Sequence, residues 1–326
     1  MIDVSVVVPV FNEVESLQLL VEKLSAALSR LNRIWEIVLV DDGSKDGTWE
    51  KMKALAVQFK GLRVVRLRRN FGQTAAMSAG FDHARGRIIV TLDADLQNDP
   101  DDIPLMIDTL EKNDLDVVSG WRKNRQDPFI NRRLPSMLAN DVISRFTGVR
   151  LHDYGCTLKA YRREVVQNLA LYGEMHRFIP ALASWVGGSI GEVAVQHHPR
   201  LFGKSKYGIS RTIRVVLDLI TVNFLLRYST RPIQIFGRIG LYTLAAGLTL
   251  MAVMVIPHLL YPFWQAPLLT ELVKLAKRPF WVTTPFMLIF FGIQFISMGL
   301  LAELQTRTYH ESQKKPIYTV KEIVES

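Results

Sequence analysis

Two carboxylates one residue apart, Asp93 and Asp95 in Thr91-Leu92-Asp93-Ala94-Asp95-Leu96-Gln97-Asn98-Asp99-Pro100, are the side chains best placed to do chemistry. The apolar run Ile88–Leu92 before them reads as a buried strand, so both acids leave a strand end. In an open α/β sheet, ligands bind outside the carboxyl ends of the strands. Oxygen donors placed there suit a hard divalent cation, Mg²⁺ or Mn²⁺, which usually also holds a substrate phosphate. A lone Asp-x-Asp is more often a solvated loop, so its neighbours decide. A second acid pair, Asp41-Asp42, follows the apolar strand Ile37–Val40. One strand end could hydrogen-bond a nucleobase or ribose while the other holds a metal-bound diphosphate. Ser44 is expected to cap the helix starting near Lys45.

The elements that must position these acids alternate. Val4–Val10 is an apolar strand, and Leu17, Leu20, Val21, Leu24 and Leu28 repeat at helical spacing. Ile37–Val40, a helix over Lys45–Phe59, a strand Leu62–Leu67, a helix Gln73–Arg85 and the strand Ile88–Leu92 follow. Asp99-Pro100 opens a further helix, and Asp116–Gly120 reads as another strand. The alternation predicts an α/β fold with a mostly parallel sheet covered on both faces. No Gly-x-Gly-x-x-Gly follows the first strand and no Walker A loop occurs, which argues against dinucleotide and P-loop chemistry.

The chain has 326 residues and a formal net charge of +9, which asks for an anionic partner: a phosphorylated substrate or anionic lipid. No nucleic-acid motif is found. The single cysteine, Cys156, allows no internal disulfide, fits a reducing compartment and is expected to be a buried small hydrophobe. Met1–Ser5 has no basic segment before the first apolar run, so no signal peptide is expected. Basic clusters fall at Arg122–Arg125, Arg132-Arg133 and Arg200 with Lys204 and Lys206, on segments that favour phosphate binding. The adjacent His197-His198 would point to opposite faces of a strand, which makes them poor joint metal ligands. Thr212–Leu226 reads as an amphipathic interfacial helix. Ile233–Tyr261 and Val282–Leu301 both reach the ~20 residues that span a bilayer. Flanking Arg227, Arg231, Arg238, Arg307, Lys314 and Lys315 place both termini in the cytoplasm, against Lys274, Lys277 and Arg278 in the intervening loop.

Pro9-Val10-Phe11-Asn12-Glu13, Val40–Ser44, Asn70-Phe71-Gly72-Gln73 and Leu92–Gln97 together resemble the GT-A family 2 glycosyltransferases. Within them the match is to polyprenyl-phosphate glycosyltransferases of the dolichol-phosphate-mannose synthase type. The resemblance is strongest to the undecaprenyl-phosphate 4-deoxy-4-formamido-L-arabinose transferases, through Leu92–Asn98 with Pro100, Asn124–Asp127, Asp153–Cys156 with Ala160–Arg163, Phe178-Ile179-Pro180, and Phe202-Gly203 with Ser205–Tyr207. Lys204 stands where those enzymes commonly carry an acid.

The resemblance implies a GT-A fold and inverting transfer of one sugar from a UDP or GDP donor to undecaprenyl phosphate, with Mg²⁺ or Mn²⁺. The sugar would be 4-formamido-arabinose or, as alternatives, glucose, mannose or N-acetylglucosamine. It implies that Pro9, Phe11, Glu13, Val40 and Asp42 line the nucleoside pocket. Asp93 and Ala94 would lie against ribose and diphosphate, Asp95 and Gln97 on the metal, and Arg122 and Arg132 on the acceptor phosphate. Arg200 and Lys206 would sit on a loop closing over the donor, and Asp153 beside the reacting centre as general base. A lipid phosphate is already largely anionic at neutral pH, so Asp153 could instead orient the acceptor or an arginine.

The expected organisation is a catalytic domain over 1–208, a juxtamembrane helix over 209–231, two spans within 232–305 and a cytoplasmic tail over 306–326. The setting would be the bacterial inner membrane and its cell-envelope glycans or lipid A, and the resemblance suggests a homo-oligomer, a tetramer. A processive polysaccharide synthase is disfavoured because Trp185 lacks a Gln-x-x-Arg-Trp context. A catalytically silent nucleotide-sugar scaffold is disfavoured by the intact Asp93, Asp95, Gln97 and Asp153.

Overall fold

The computed structural model describes residues 2–123, most of 140–201 and 317–325, with scattered positions between 221 and 308. Met1–Val222 with Lys314–Ser326 form one compact unit, and Asn223–Gln313 a second.

The first unit is built on one eight-stranded sheet. In chain order its strands are β1 (Val4–Val10), β2 (Trp35–Asp41), β3 (Leu62–Leu67), β4 (Ile88–Thr91), β5 (Val117–Trp121), β6 (Lys159–Arg162), β7 (Ile190–Ala194) and β8 (Val320–Glu325). They lie in the order β7-β5-β6-β4-β1-β2-β3-β8. β4, β1, β2 and β3 are parallel to one another, and β5 runs with β7. Only β6 and β8 run the other way. The expected mostly parallel sheet is therefore present, and the loops after β1, β2, β4 and β5 gather along one edge.

The period-2 pattern of β1 explains its two coverings. Val4, Val6, Val8 and Val10 are buried in a core shared with α1 (Leu17–Ser29), α2 (Thr48–Gln58) and the helix α4 (Ile103–Lys112). Val7 faces α3 (Gln73–His83), where Gly80 lets the helix come close: a Cβ at Gly80 would stand 2.1 Å from the Val7 side chain. Two short helices, α5 (Arg163–Gln167) and α6 (Ile179–Trp185), follow β6.

One helix start and its cap differ from the sequence expectation. α2 begins at Thr48 rather than near Lys45, because Asp46, not Ser44, closes the turn: its Oδ1 accepts from Thr48 N at 3.1 Å. The Ser44 hydroxyl instead accepts from Asn12 N at 2.8 Å, tying the β2 loop to the β1 loop.

β6, β7 and β8 are strands that the sequence pattern did not announce, and β8 comes from farthest along the chain. It lies antiparallel on β3, with Val324 opposite Val64 and Glu322 opposite Arg66. Glu325 takes ion pairs from Arg63 at 2.8 Å and Arg85 at 2.9 Å, and the buried Tyr318 hydroxyl donates to Asp82 at 2.7 Å. The outer edge of β3 is thereby covered.

No helix among the described residues is long and apolar enough to cross a membrane. The two runs expected to do so, and the amphipathic helix before them, lie almost entirely outside the described residues.

Candidate active site

The loops after β1 and β2 are stitched to each other before either can meet a ligand. Beyond the Asn12–Ser44 bond, Lys45 N donates to Asn12 Oδ1 at 2.9 Å and Glu13 N to Thr48 Oγ1 at 3.1 Å. Asn12 holds a left-handed backbone, φ 52, which asparagine tolerates. Pro9, Phe11 and Glu13 are half-buried along this rim, while Val40 is wholly enclosed in β2 and serves as wall. Gly43 turns at φ +73 directly against the Arg69 backbone, 2.5 Å from where a Cβ would lie, so only glycine fits.

Asp42 has both carboxylate oxygens engaged. Phe71 N donates to Oδ1 at 2.7 Å and Gly72 N to Oδ2 at 2.9 Å. Burial still pushes its pKa up to about 6, the two N–H donors offsetting part of that shift. The clasped loop leads straight into Gln73 at the start of α3, whose Nε2 donates to Asp93 Oδ1 at 2.8 Å. The acids at the ends of β2 and β4 are thus joined through Phe71–Gln73.

At the end of β4, burial and the neighbouring Asp95 charge raise the Asp93 pKa, with Thr157, Arg122 and Lys159 opposing. Asp95 Oδ1 accepts from Gln97 N at 3.2 Å. Leu96 between them is held at φ 60, a conformation a branched side chain adopts at a cost of about 1–2 kcal/mol. Such an outlier between two candidate ligands points to a turn shaped for function. His197 and His198 strap this turn from the far side: His198 N donates to the Gln97 carbonyl at 2.9 Å, and its Nε2 pairs with Asp99 at 2.8 Å. Among the described residues, no group of three or more His, Cys, Asp or Glu side chains could hold a metal by itself. A cation here would take Asp95 and Gln97 and fill its shell from substrate and water. That oxygen donor set fits Mg²⁺ or Mn²⁺, which keeps waters and shares substrate phosphates.

Across β6 stands a buried ion pair. Arg122, just past β5, forks Asp153 through Nε at 2.7 Å and Nη2 at 2.9 Å. Asp153 also accepts from Gly155 N at 3.1 Å. Burial alone would lower the Arg122 pKa, but the Asp153 hydrogen bond and charge outweigh it and the pKa is raised. A Cβ at Gly155 would come 3.2 Å from Arg122 Nη2, so a side chain there would press on the fork. Behind the fork, Glu192 on β7 receives His152 N at 2.9 Å and Asp153 N at 3.1 Å, pinning the turn that carries Asp153. The His152 ring stacks on Trp121 with centroids 4.3 Å apart.

Lys159 on β6 is fully enclosed, its ammonium donating to the Cys156 carbonyl and to Tyr154 O. Burial lowers its pKa, and Asp153 and Asp93 push it back up. Cys156 is buried, as expected, and burial raises its thiol pKa.

Asp42, Asp93, Asp95, Gln97 and Arg122 therefore stand at or just past the strand ends where the sequence set them, Asp153 lies in the turn before β6, and Ala94 is buried beside Asp95. Arg132, Arg200 and Lys206 lie outside the described residues. Sequence reasoning missed Gln73, Lys159 and Glu192 as parts of the site. Lys159 carried the one available signal, a lone cation in the apolar run Leu158–Tyr161.

The family model for glycosyl transferase family 2 matches residues 5–170. A dodecaprenyl-phosphate galacturonate synthase of Rhizobium johnstonii is 48% identical over 99% of this chain and 93% of its own length. An undecaprenyl-phosphate 4-deoxy-4-formamido-L-arabinose transferase of Yersinia enterocolitica is 38% identical over 98% of this chain and 93% of its own. Among solved structures, glucosyl-3-phosphoglycerate synthase of Mycobacterium tuberculosis, in complex with Mn²⁺, UDP-glucose and phosphoglyceric acid, superposes with a TM-score of 0.55. It is 17% identical, over 69% of this chain and 79% of that one, which establishes the shared GT-A fold. With a family match over half its length and full-length relatives well above 30% identity, the chain belongs to glycosyl transferase family 2, as a polyprenyl-phosphate glycosyltransferase.

Proposed function

We propose that the chain transfers one uronic acid residue, galacturonate, with inversion, from a UDP donor to a bacterial polyprenyl phosphate at the inner face of the plasma membrane. The observation that carries the transfer is the pairing of two strand-end features: the acid turn Asp93–Gln97 and the enclosed Arg122–Asp153 fork, close enough for Arg122 to act on Asp93 electrostatically. One end suits a donor diphosphate and the other an acceptor phosphate. The uronate is favoured over 4-formamido-arabinose because the galacturonate relative shares 48% identity against 38%. Lys204, a cation where the arabinose enzymes commonly carry an acid, supports a donor with an extra negative charge.

In this reading Phe11 and the rim of β1 receive the base, and Asp42 holds the loop Phe71–Gln73 that carries Gln73 onto Asp93. Mg²⁺ or Mn²⁺ on Asp95 and Gln97 would supply charge for the departing diphosphate. Arg122, with one guanidinium edge fixed by Asp153, offers its remaining donors to the acceptor phosphate, with Arg132 beside it. The acceptor oxygen attacks the anomeric carbon without losing a proton, so Asp153 serves as the anchor of Arg122 rather than as a base. Arg200 and Lys206 would close over the donor and exclude water. Two membrane spans within 232–305 would keep the site at the headgroup plane, a reading supported by Ile256, Leu259, Phe290 and Leu301, each more than half exposed.

The test is transfer to undecaprenyl phosphate from labelled UDP-galacturonate, UDP-4-formamido-arabinose, UDP-glucose and GDP-mannose, with protein in detergent and Mg²⁺ or Mn²⁺. A lipid-linked galacturonate from the first donor alone is the expected result. The arabinose product alone would overturn the sugar. No product from any donor would overturn the transfer. Asp95→Ala should abolish metal-dependent turnover while the protein still folds; full turnover would remove the metal assignment.

A further inference from the structure

β6 enters the sheet between the two strands that carry the site, and runs against β4 and β5. Lys159 at its start lies opposite Thr91 on β4 and opposite Ser119 on β5. Thr91 leads into the acid turn, and Ser119 into Arg122. The acid turn and the Arg122 fork therefore leave strands two positions apart, roughly 10 Å at ~4.8 Å per strand. The turn Asp153–Leu158 leads into β6 between them.

This turn is held on both sides. The Thr157 carbonyl accepts from Thr91 Oγ1 at 2.8 Å, and the Thr157 hydroxyl donates to Asn98 Oδ1 at 3.0 Å. Asn98 directly follows Gln97, is 4% exposed, and its Nδ2 reaches Cys156 Sγ at 3.7 Å. A backbone bridge to His197 fixes Asn98 in turn. From β6, the Lys159 ammonium donates to the carbonyls of Tyr154 and Cys156, which flank Gly155. A neutral amide could meet two carbonyls, whereas burying an ammonium costs several kcal/mol. The charges of Asp153 and Asp93 offset that cost, so the cation is matched to both halves of the site.

We propose that Thr157 and Lys159 are positioning residues for the transfer. Thr157 ties the turn to Asn98 on the metal side, Lys159 clamps it beside Asp153, and together they set the reach from donor to acceptor. The proposal rests on the reading that Arg122 holds the acceptor phosphate. Attack needs the reacting atoms about 3–3.5 Å apart, and a misplacement of about 1 Å can cost 10²-fold in rate. When the turn slips, both substrates still bind but meet at the wrong distance.

Thr157→Val removes the hydroxyl at constant shape, and Lys159→Met removes the ammonium at similar length. Full-length variants in detergent are compared with wild type using undecaprenyl phosphate, Mg²⁺ and whichever of the four labelled donors wild type transfers. We expect kcat to fall about tenfold to a hundredfold, with both KM values within a few-fold and UDP binding by calorimetry unchanged. Free sugar released per lipid-linked sugar should rise, because water takes the place of an ill-placed acceptor. Thr157→Ser and Lys159→Arg should restore most of kcat. A merely structural role would lower Tm and the active fraction and leave that ratio unmoved. Should Lys159→Met fail to fold, Thr157→Val decides. Arg122→Gln is run in parallel. If it loses lipid-dependent transfer while Thr157→Val keeps wild-type kcat and ratio, the proposal falls and the acceptor reading stands. If Arg122→Gln transfers with unchanged kcat and lipid KM, the acceptor reading falls and takes the proposal with it.

Discussion

If Asp153 acts only by holding Arg122, removing it should do nothing further once Arg122 is gone. The pair is enclosed: the side chains are 14% and 3% exposed, and the fork closes at 2.7 and 2.9 Å. Taking one partner from a buried ion pair costs about 3–5 kcal/mol, because the other charge is left unpaired. At about 2–4 °C per kcal/mol for a unit this size, Asp153→Asn or Arg122→Gln should lower Tm by roughly 6–20 °C. The double variant should lose less than the sum, since no charge is stranded. Turnover separates the roles more sharply. A general base contributes about 10²–10⁴ in rate. We expect Asp153→Asn/Arg122→Gln to match Arg122→Gln in kcat within a few-fold, measured with undecaprenyl phosphate and saturating donor. A double variant a hundredfold slower than Arg122→Gln would show that Asp153 does chemistry of its own, and the anchor reading would fall.

Gln73→Ala removes the donor to Asp93 Oδ1 and should raise the donor KM about tenfold or more with smaller loss in kcat, read from steady-state transfer. Asp42 has a folded pKa of about 6 against an ordinary value of 3.8, so its contribution to stability is complete below about 4 and is lost as pH rises through 6. Denaturant unfolding of wild type should therefore show a drop of ~3 kcal/mol across that window, absent in Asp42→Asn; identical pH profiles would contradict the shift. Tyr318→Phe forfeits the bond to Asp82 and should cost about 1 kcal/mol in the same assay, with transfer unchanged.

The parallel core was legible because β1 to β4 are short apolar runs separated by helical spacing, and their acids sit at the run ends. Asp93, Asp95 and Asp42 could be found for that reason. Gln73 and Glu192 could not, because each acts through a neighbour brought close only by the fold: 20 residues away for Gln73 and Asp93, and 39 for Glu192 and Asp153. Likewise, Asp153 and Arg122 were each visible, but their mutual fork was not. β8 escaped notice because its half-polar Val-Lys-Glu-Ile-Val-Glu pattern is that of a covered edge and not of a core strand.

The pairing of β8 with β3 also sets a clock on biogenesis. β3 ends at Leu67 and its partner begins at Val320, so the edge is left open while some 250 residues are made. At ~5–20 residues per second, that is roughly 13–50 s in which a nascent sheet margin waits for β8. A ribosome stalled, or a message cut, anywhere in that interval releases a catalytic unit with a bare edge.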